Sequence, residues 1–425
     1  MKKKILFCIH NYFFLRSYIL DLKRLEKNFD ITIIVSNYLI DDKKKEESIK
    51  LKKEINFKNF FIVPYYKNGE MKRSFSSILY THLYLLKKKK KIMSEKFDIC
   101  ISDNNFFIWQ KIILEKFIQK NCKKIGVMTG ALAVDLAFFE KILRGEKVKN
   151  HISSLHKLRS YVTEDRVKTP EFSKKLKNVY NRILDIFVDR KILSYLFHFR
   201  NFNHGKYDLN IMETNQFDNK IVFHYQNYIF WRNWYDNEKV VLARRENTCK
   251  CKNIYKNKSL FISSNSVKNQ FQLSFQVDKV LNFYKKKFKN KKDIPELHIR
   301  HHPSDTKKDD WNKLFKKKID SNFKFKFIDT NTSINKIACN YDFAFGMLST
   351  ALTEIKFACS EIDVYCLKSL CVDEFGDKYF LKLSNENIIF YDDIKDEIDE
   401  NALQFNKSIN VNTRVKFSEF LEKFK

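Results

Sequence analysis

The sequence predicts an α/β protein made of two successive blocks of alternating strand and helix. Three observations predict it. Short apolar runs recur between segments of helical periodicity, first from residue 4 to 128 and again from 259 to 367. A polar, basic stretch, ENTCKCKNIYKNK at 246–258, separates the two blocks. Twice in the second block an apolar run stops at a polar cluster that opens a new helix, as strand ends do in an open parallel sheet.

In the first block, Lys4 to His10 reads as a strand and residues 13–29 as a helix. Asp30 to Ser36 (DITIIVS) and Phe60 to Pro64 read as strands, and a helix from about Ser74 runs into Lys87 to Lys91. Asp98 to Ser102 and Lys124 to Met128 bring the strands to five. Helical periodicity then dominates, which predicts a helical insertion at about 132–215. Its stretch RILDIFVDRKILSYLFHFR suits a core helix or a membrane-surface helix. Lys220 to Tyr225 and Lys239 to Arg244 read as short strands returning to the same domain. The expected division is a first domain at 1–245, a linker at 246–258 and a second domain at 259–425.

The second block starts with the strand Ser259 to Ser263, a polar loop that contains Ser266, and a helix over about 271–288. Glu296 to Arg300 is the next strand, and Phe323 to Ile328, Tyr341 to Leu348 and Asp363 to Leu367 follow. His302 precedes Pro303, so its backbone is pushed towards an extended conformation and the strand ends there. Ser304 and Asp305 are suited to cap a helix whose Trp311, Leu314, Phe315 and Ile319 recur at helical spacing. Ser349 and Thr350 open the helix ALTEIKFAC beyond Gly346. Free N–H groups at such a helix start, with two hydroxyls added, make an anion site. Glu354, about a turn later, is placed to reach a ribose hydroxyl, and an imidazole at His302 can donate to a phosphate oxygen. A phosphorylated ligand suits both clusters.

A His-Pro corner followed some tens of residues later by a Ser-Thr helix start resembles bacterial sialyltransferases and related transferases of Kdo and other ulosonic acids. The resemblance covers mainly the C-terminal half. It implies a GT-B-like fold, two facing Rossmann-like domains, here with a helical insertion in the N-terminal half. It also implies a CMP-linked sugar donor gripped at His302, Pro303, Ser349 and Thr350. From the polar clusters themselves, Arg300, Gly346, Glu354 and Ser266 are counted among the nucleotide contacts, and His302 also as a catalytic residue that can protonate a leaving group. Teichoic-acid glycerophosphotransferases carry a similar pair of motifs, so transfer from CDP-glycerol stays open.

The resembled families place a catalytic carboxylate at a strand end of the N-terminal domain, usually as an acidic pair beside glycine. This chain has no clear copy of that pair. Asp135 is the favoured base because the scarce Gly126 and Gly130 lie close by, Asp103 is the next candidate, and Glu140 lies just beyond. His10 and Asn11, at the end of the first strand, are assigned to the acceptor side. No D-x-D motif is present, so a metal-free reaction is expected, with no cofactor beyond the donor.

Composition narrows the remaining classes. The chain of 425 residues is long enough for two or three domains. A formal net charge of +30 points to anionic partners, although the lysines are spread along the chain. Only 7 glycines are present, with no G-x-G-x-x-G and no P-loop pattern, which argues against a Rossmann dehydrogenase or a P-loop ATPase. Cys249 and Cys251 lack a companion pair, so zinc is not expected, and the 9 cysteines read as reduced cytosolic thiols. No apolar run is long enough to span a bilayer, and the basic N-terminal stretch lacks a small-residue cleavage site. The expected partners are a nucleotide-sugar donor and a glycan or lipid-linked glycan acceptor. The expected place is the cytoplasm, with peripheral contact to an anionic membrane. No nucleic-acid motif is present; a non-catalytic polyanion binder, drawing on 41 Phe and 20 Tyr for stacking, is the alternative of a different class.

Overall fold

The structure is a computed structural model. It describes residues 2–9, 12–36, 55–64, 75–92, 96–103, 109–110, 113–128, 217–224, 227–228, 231–232, 239–246, 257–263, 270–288, 294–302, 308–319, 323–330, 332–347, 350–370, 388–398 and 414–424. The helical insertion expected at about 132–215 lies outside the described residues. The chain divides into two compact units: Met1–Arg245 together with Val415–Lys425, and Glu246–Arg414.

The first unit contains β1 (Lys3–Ile9), β2 (Phe29–Ser36), β3 (Asn59–Val63), β4 (Ile99–Ser102), β5 (Lys123–Met128), β6 (Asn219–Val222) and β7 (Val240–Arg244). They lie in the order β7-β6-β5-β4-β1-β2-β3, and every neighbouring pair is parallel. Strands covered on both faces read as continuous apolar runs, and β1 is buried throughout from Ile5 to Ile9. The single helix expected at 13–29 is instead two, α1 (Tyr12–Ser17) and α2 (Ile19–Leu25). They part at Tyr18, whose ring is fully buried and meets Phe223 edge-on at 6.0 Å. A third helix, α3, spans Phe75–Ile92.

The second unit repeats the plan. Its strands are β8 (Lys258–Ile262), β9 (Glu296–Arg300), β10 (Phe325–Phe327), β11 (Phe343–Gly346), β12 (Asp363–Leu367), β13 (Ile389–Asp392) and β14 (Glu397–Ile398). The order is β10-β9-β8-β11-β12-β13-β14, parallel except for the last pair. Helices α4 (Gln270–Phe288), α5 (Lys308–Lys318), the short α6 (Ile334–Ile337) and α7 (Thr350–Ala358) connect the strands. Phe261, Phe283, Tyr284, Trp311, Phe315 and Phe345 fill the core between sheet and helices. Counting strands within each unit, both sheets contain the order 3-2-1-4-5-6, the doubly wound order of a Rossmann-like fold, with a seventh strand beyond the sixth. The expected GT-B-like class, two Rossmann-like units in one chain, is what the two sheets display.

A recurrent aspartate finishes the amino ends of these sheets. Asp98 accepts from the Lys4 N–H at 2.8 Å, Asp218 from Lys124 at 2.7 Å, and Asp342 from Lys258 at 3.1 Å. Each carboxylate accepts a main-chain N–H within the first two residues of the neighbouring strand, so these three are structural.

Two expectations need correction. The second domain does not run to residue 425, because β15 (Val415–Lys416) pairs with β7 and α8 (Phe417–Glu422) packs on the first unit. Phe417 lies 5.4 Å from the ring of Tyr18 and 6.4 Å from that of Phe7, and Glu419 pairs with Arg24 at 3.4 Å. Burial of Phe417, Phe420 and Leu421 draws the segment back, and its local pattern does not say which sheet it joins. The second correction concerns the thiols. Cys359 is disulfide-bonded, a pairing that residue spacing did not reveal, whereas Cys8, Cys100 and Cys122 are thiols. Among the described residues no helix is long and apolar enough to cross a membrane.

Candidate functional site

An open parallel sheet leaves a crevice where its strand order reverses, at the carboxyl ends of the two strands that flank the reversal. In the second unit those strands are β8 and β11. Gly346 ends β11 beside Ile262, and a Cβ at that position would sit 2.7 Å from the Ile262 carbonyl oxygen. A side chain would force the strands apart, so glycine is a packing requirement here. α7 opens four residues later at Thr350, and Glu354 lies one turn into it, half-buried.

β9, on the other side of β8, delivers Arg300, His301 and His302 to the same edge. The Arg300 guanidinium donates to the carbonyls of Asp329 at 3.2 Å and Thr330 at 3.0 Å. It therefore ties β9 to the exit of β10. His302 is half-buried, and its backbone N–H donates to Ser263 Oγ at 3.2 Å. Ser263, which directly follows β8, is buried and is a site residue that sequence reasoning missed; the abrupt end of the run SLFIS was its only signal. The structure brings Gly346, Arg300 and His302 to one edge of one sheet. Pro303, Ser349 and Ser266 lie outside the described residues.

In the first unit the reversal falls between β1 and β4. Asp103 follows β4 directly and is 4% exposed. Gln110 Nε2 donates to Asp103 Oδ1 at 2.8 Å and to the Cys8 carbonyl at 3.0 Å, which fixes the carboxylate beside the end of β1. Gln110, seven positions downstream, gave no sequence signal. A half-buried charged group lies nearby. The Arg245 guanidinium sits 4.9 Å from the ring of Tyr18 and 4.6 Å from that of Phe223. Burial holds the Tyr18 phenol in its protonated form; Arg245 opposes this, while the carboxylates of Asp103 and Asp21 reinforce it. Asp135, the favoured base, lies outside the described residues, as do His10 and Asn11.

Thiol chemistry finds little support at this sheet. A hydrogen bond with Cys8, followed by burial, pushes the Cys100 thiol well up, and burial does the same to Cys122. Among the described residues no group of three His, Cys, Asp or Glu side chains stands ready to hold a metal ion.

No protein-family model matches the chain, and no curated protein matches it in sequence. Several solved structures are similar in fold. A UDP-GlcNAc 2-epimerase from Neisseria meningitidis bound to UDP-GlcNAc has a TM-score of 0.49 at 8% identity, with 99% of each chain covered. A UDP-glucosyltransferase from Polygonum tinctorium has a TM-score of 0.48 at 9% identity, covering 99% of this chain and 89% of its own. An α/β-galactoside α-2,3-sialyltransferase from Photobacterium phosphoreum has a TM-score of 0.46 at 11% identity, with 99% of each chain covered. Likenesses of this extent say nothing of substrate or of residue roles in the present chain.

Proposed function

We propose that the protein is a glycosyltransferase that moves a sugar from a nucleotide donor to a glycan acceptor of the cell surface, with a CMP-linked ulosonic acid as the donor class. The observation that carries the reading is the edge of the second sheet, where Gly346 permits close approach of β11 to β8 and His302 stands on the adjoining strand end. Among the described residues that directly end β8, β9 and β11 there is no carboxylate, which suits a phosphate ligand. The start of α7 and the His302 imidazole would hold the leaving phosphate, and Glu354 would contact the ribose. Pro303, Ser349 and Ser266 keep their place in this assignment on the motif pattern alone.

In the reaction the acceptor oxygen bonds to the anomeric carbon while the bond from that carbon to the phosphate oxygen breaks. The electron pair leaves with CMP, and the acceptor proton passes to a carboxylate. We assign that carboxylate to Asp103, whose place at the β1/β4 reversal is the one a substrate-facing group occupies. Asp135 is the second choice, with His10 and Asn11 on the acceptor side. The proposed chemistry uses fixed dipoles at the leaving phosphate and needs no metal ion.

The test is thermal stabilisation by CMP, CDP, UDP, GDP and ADP, measured on the protein and on His302→Ala. A ligand that binds only the folded state raises the melting temperature. Stabilisation by CMP that His302→Ala removes supports the reading, and the same substitution should abolish turnover without unfolding the chain. Preference for CDP would favour polyol-phosphate transfer, and preference for UDP or GDP would replace the donor class. Silence towards all five, with salt-sensitive binding to polyanions, would favour the non-catalytic alternative.

The proposed setting is the inner face of the cytoplasmic membrane. It is supported by α3, whose Leu83 and Leu86 are 53% and 48% exposed and share one outward stripe with the exposed Lys87 and Lys90. Leucines at the lipid boundary with lysines at the headgroups would hold the protein on anionic lipid. Co-sedimentation with phosphatidylglycerol vesicles should fall sharply in Lys87→Glu/Lys90→Glu; equal sedimentation of the two proteins would remove this contact.

A further inference from the structure

The histidine beside His302 is buried and has a partner at each ring nitrogen. His301 is 5% exposed. Its ring stacks on Phe327 with 12° between the planes and 5.6 Å between centroids, and lies 6.0 Å from Trp311. Its Nε2 is 3.1 Å from Asn312 Oδ1, on α5, and its Nδ1 is 3.4 Å from Ser263 Oγ. Ser263 Oγ in turn accepts the backbone N–H of His302 at 3.2 Å.

These contacts fix one another's direction. A carboxamide oxygen only accepts, so His301 Nε2 carries the hydrogen. In the neutral ring Nδ1 is then an acceptor and takes the Ser263 hydroxyl proton. That leaves Ser263 Oγ with lone pairs for the His302 N–H. The line runs from the His302 N–H to Ser263, from the Ser263 hydroxyl to His301, and from His301 Nε2–H to Asn312. It joins α5, β9 and the end of β8, three elements that meet at the crevice.

The set has the composition of a nucleophilic Ser–His–Asn group, but its geometry serves another purpose. Ser263 is 2% exposed, and its oxygen already accepts the His302 N–H. Such a hydroxyl braces a corner. We propose that Asn312, His301 and Ser263 are positioning residues, a relay that sets the His302 corner and thereby places the His302 imidazole at the donor phosphate. This rests on the reading of His302 as a phosphate contact.

The experiment pairs Asn312→Leu, of similar size with no acceptor, with Asn312→Asp, which keeps the acceptor. Nitrogen-15 NMR of the histidines in the unliganded protein reads the relay itself. His301 should be neutral with its proton on Nε2, and Asn312→Leu should erase that preference. Titration with CMP reads the consequence. Asn312→Leu should weaken CMP about tenfold, the loss of roughly one hydrogen bond of placement, while Asn312→Asp stays within about twofold. His301 found with its proton on Nδ1, or charged at neutral pH, overturns the relay whatever CMP does. Wild-type affinity in Asn312→Leu, or an equal loss in Asn312→Asp, overturns it too. His302→Ala is the control that separates the two claims. If it loses CMP while Asn312→Leu keeps it, the relay alone is wrong; if CMP binds neither the protein nor any variant, the donor reading fails and takes the relay with it.

Discussion

The two units share a strand order but not a chemistry at its reversal. At the β1/β4 edge of the first unit a buried carboxylate, Asp103, is pinned by Gln110. At the β8/β11 edge of the second, backbone closeness at Gly346 is joined by a serine and two histidines, and among the described residues no carboxylate ends β8, β9 or β11. Under the proposed function the first edge would accept a proton and the second an anion. The doubly wound backbone supplies a crevice in either case, and the few residues at the strand ends decide its use.

The largest effect that would sharpen this contrast comes from Asp103→Asn. The carboxamide keeps the shape but cannot take the acceptor proton, so turnover should drop by about 10²–10⁴-fold. Stabilisation by CMP should be unchanged; a parallel loss of CMP binding would break the division of roles. Gly346→Ala should act the other way round. Its Cβ meets the Ile262 carbonyl oxygen, so the cost is about 1–3 kcal/mol of stability, seen as a lower melting temperature together with weakened CMP binding. An alanine variant as stable as the parent would show that β8 and β11 are not held that close.

The smallest effect is confined to the frame of the second unit. Burial tends to raise the carboxyl of Asp392, but Lys368 Nζ at 2.8 Å and the N–H groups of Ile394 and Lys395 at 3.2 Å hold it below its ordinary value. A group depressed in the folded state contributes stability above its unfolded value, about 3.9, and loses it as pH falls through the folded value. Asp392→Asn should therefore cost about 1 kcal/mol at pH 7 and very little near pH 2, with CMP binding intact at neutral pH. A cost independent of pH would show that the carboxylate charge is not what holds the turn.

Sequence reasoning reached the parts of the molecule that are local. The runs at 30–36, 98–102, 259–263 and 296–300 announced buried strands because each is built round β-branched or other apolar residues and bounded by polar ones. The four-residue β13 and the two-residue β14 and β15 escaped, since so few residues carry no periodicity. At the site, the His-Pro corner and the scarce Gly346 stood out in the chain itself. Arg300 was expected at the nucleotide, but the structure commits two of its nitrogens to the loop after β10.

By itself, then, the sequence determined where most of the longer strands and helices lie, that they alternate in two blocks, and which polar clusters close them. Burial on both faces and the stiffness of β-branched side chains write those properties into neighbouring residues. Only the tertiary structure decided that β8 lies beside β11, that Ser263 receives the His302 N–H, that Asp103 stands at a reversal, and that residues 415–424 return to the first unit. Each of these joins segments far apart in the chain. Their adjacency comes from the packing of whole elements, which no local pattern of residues records.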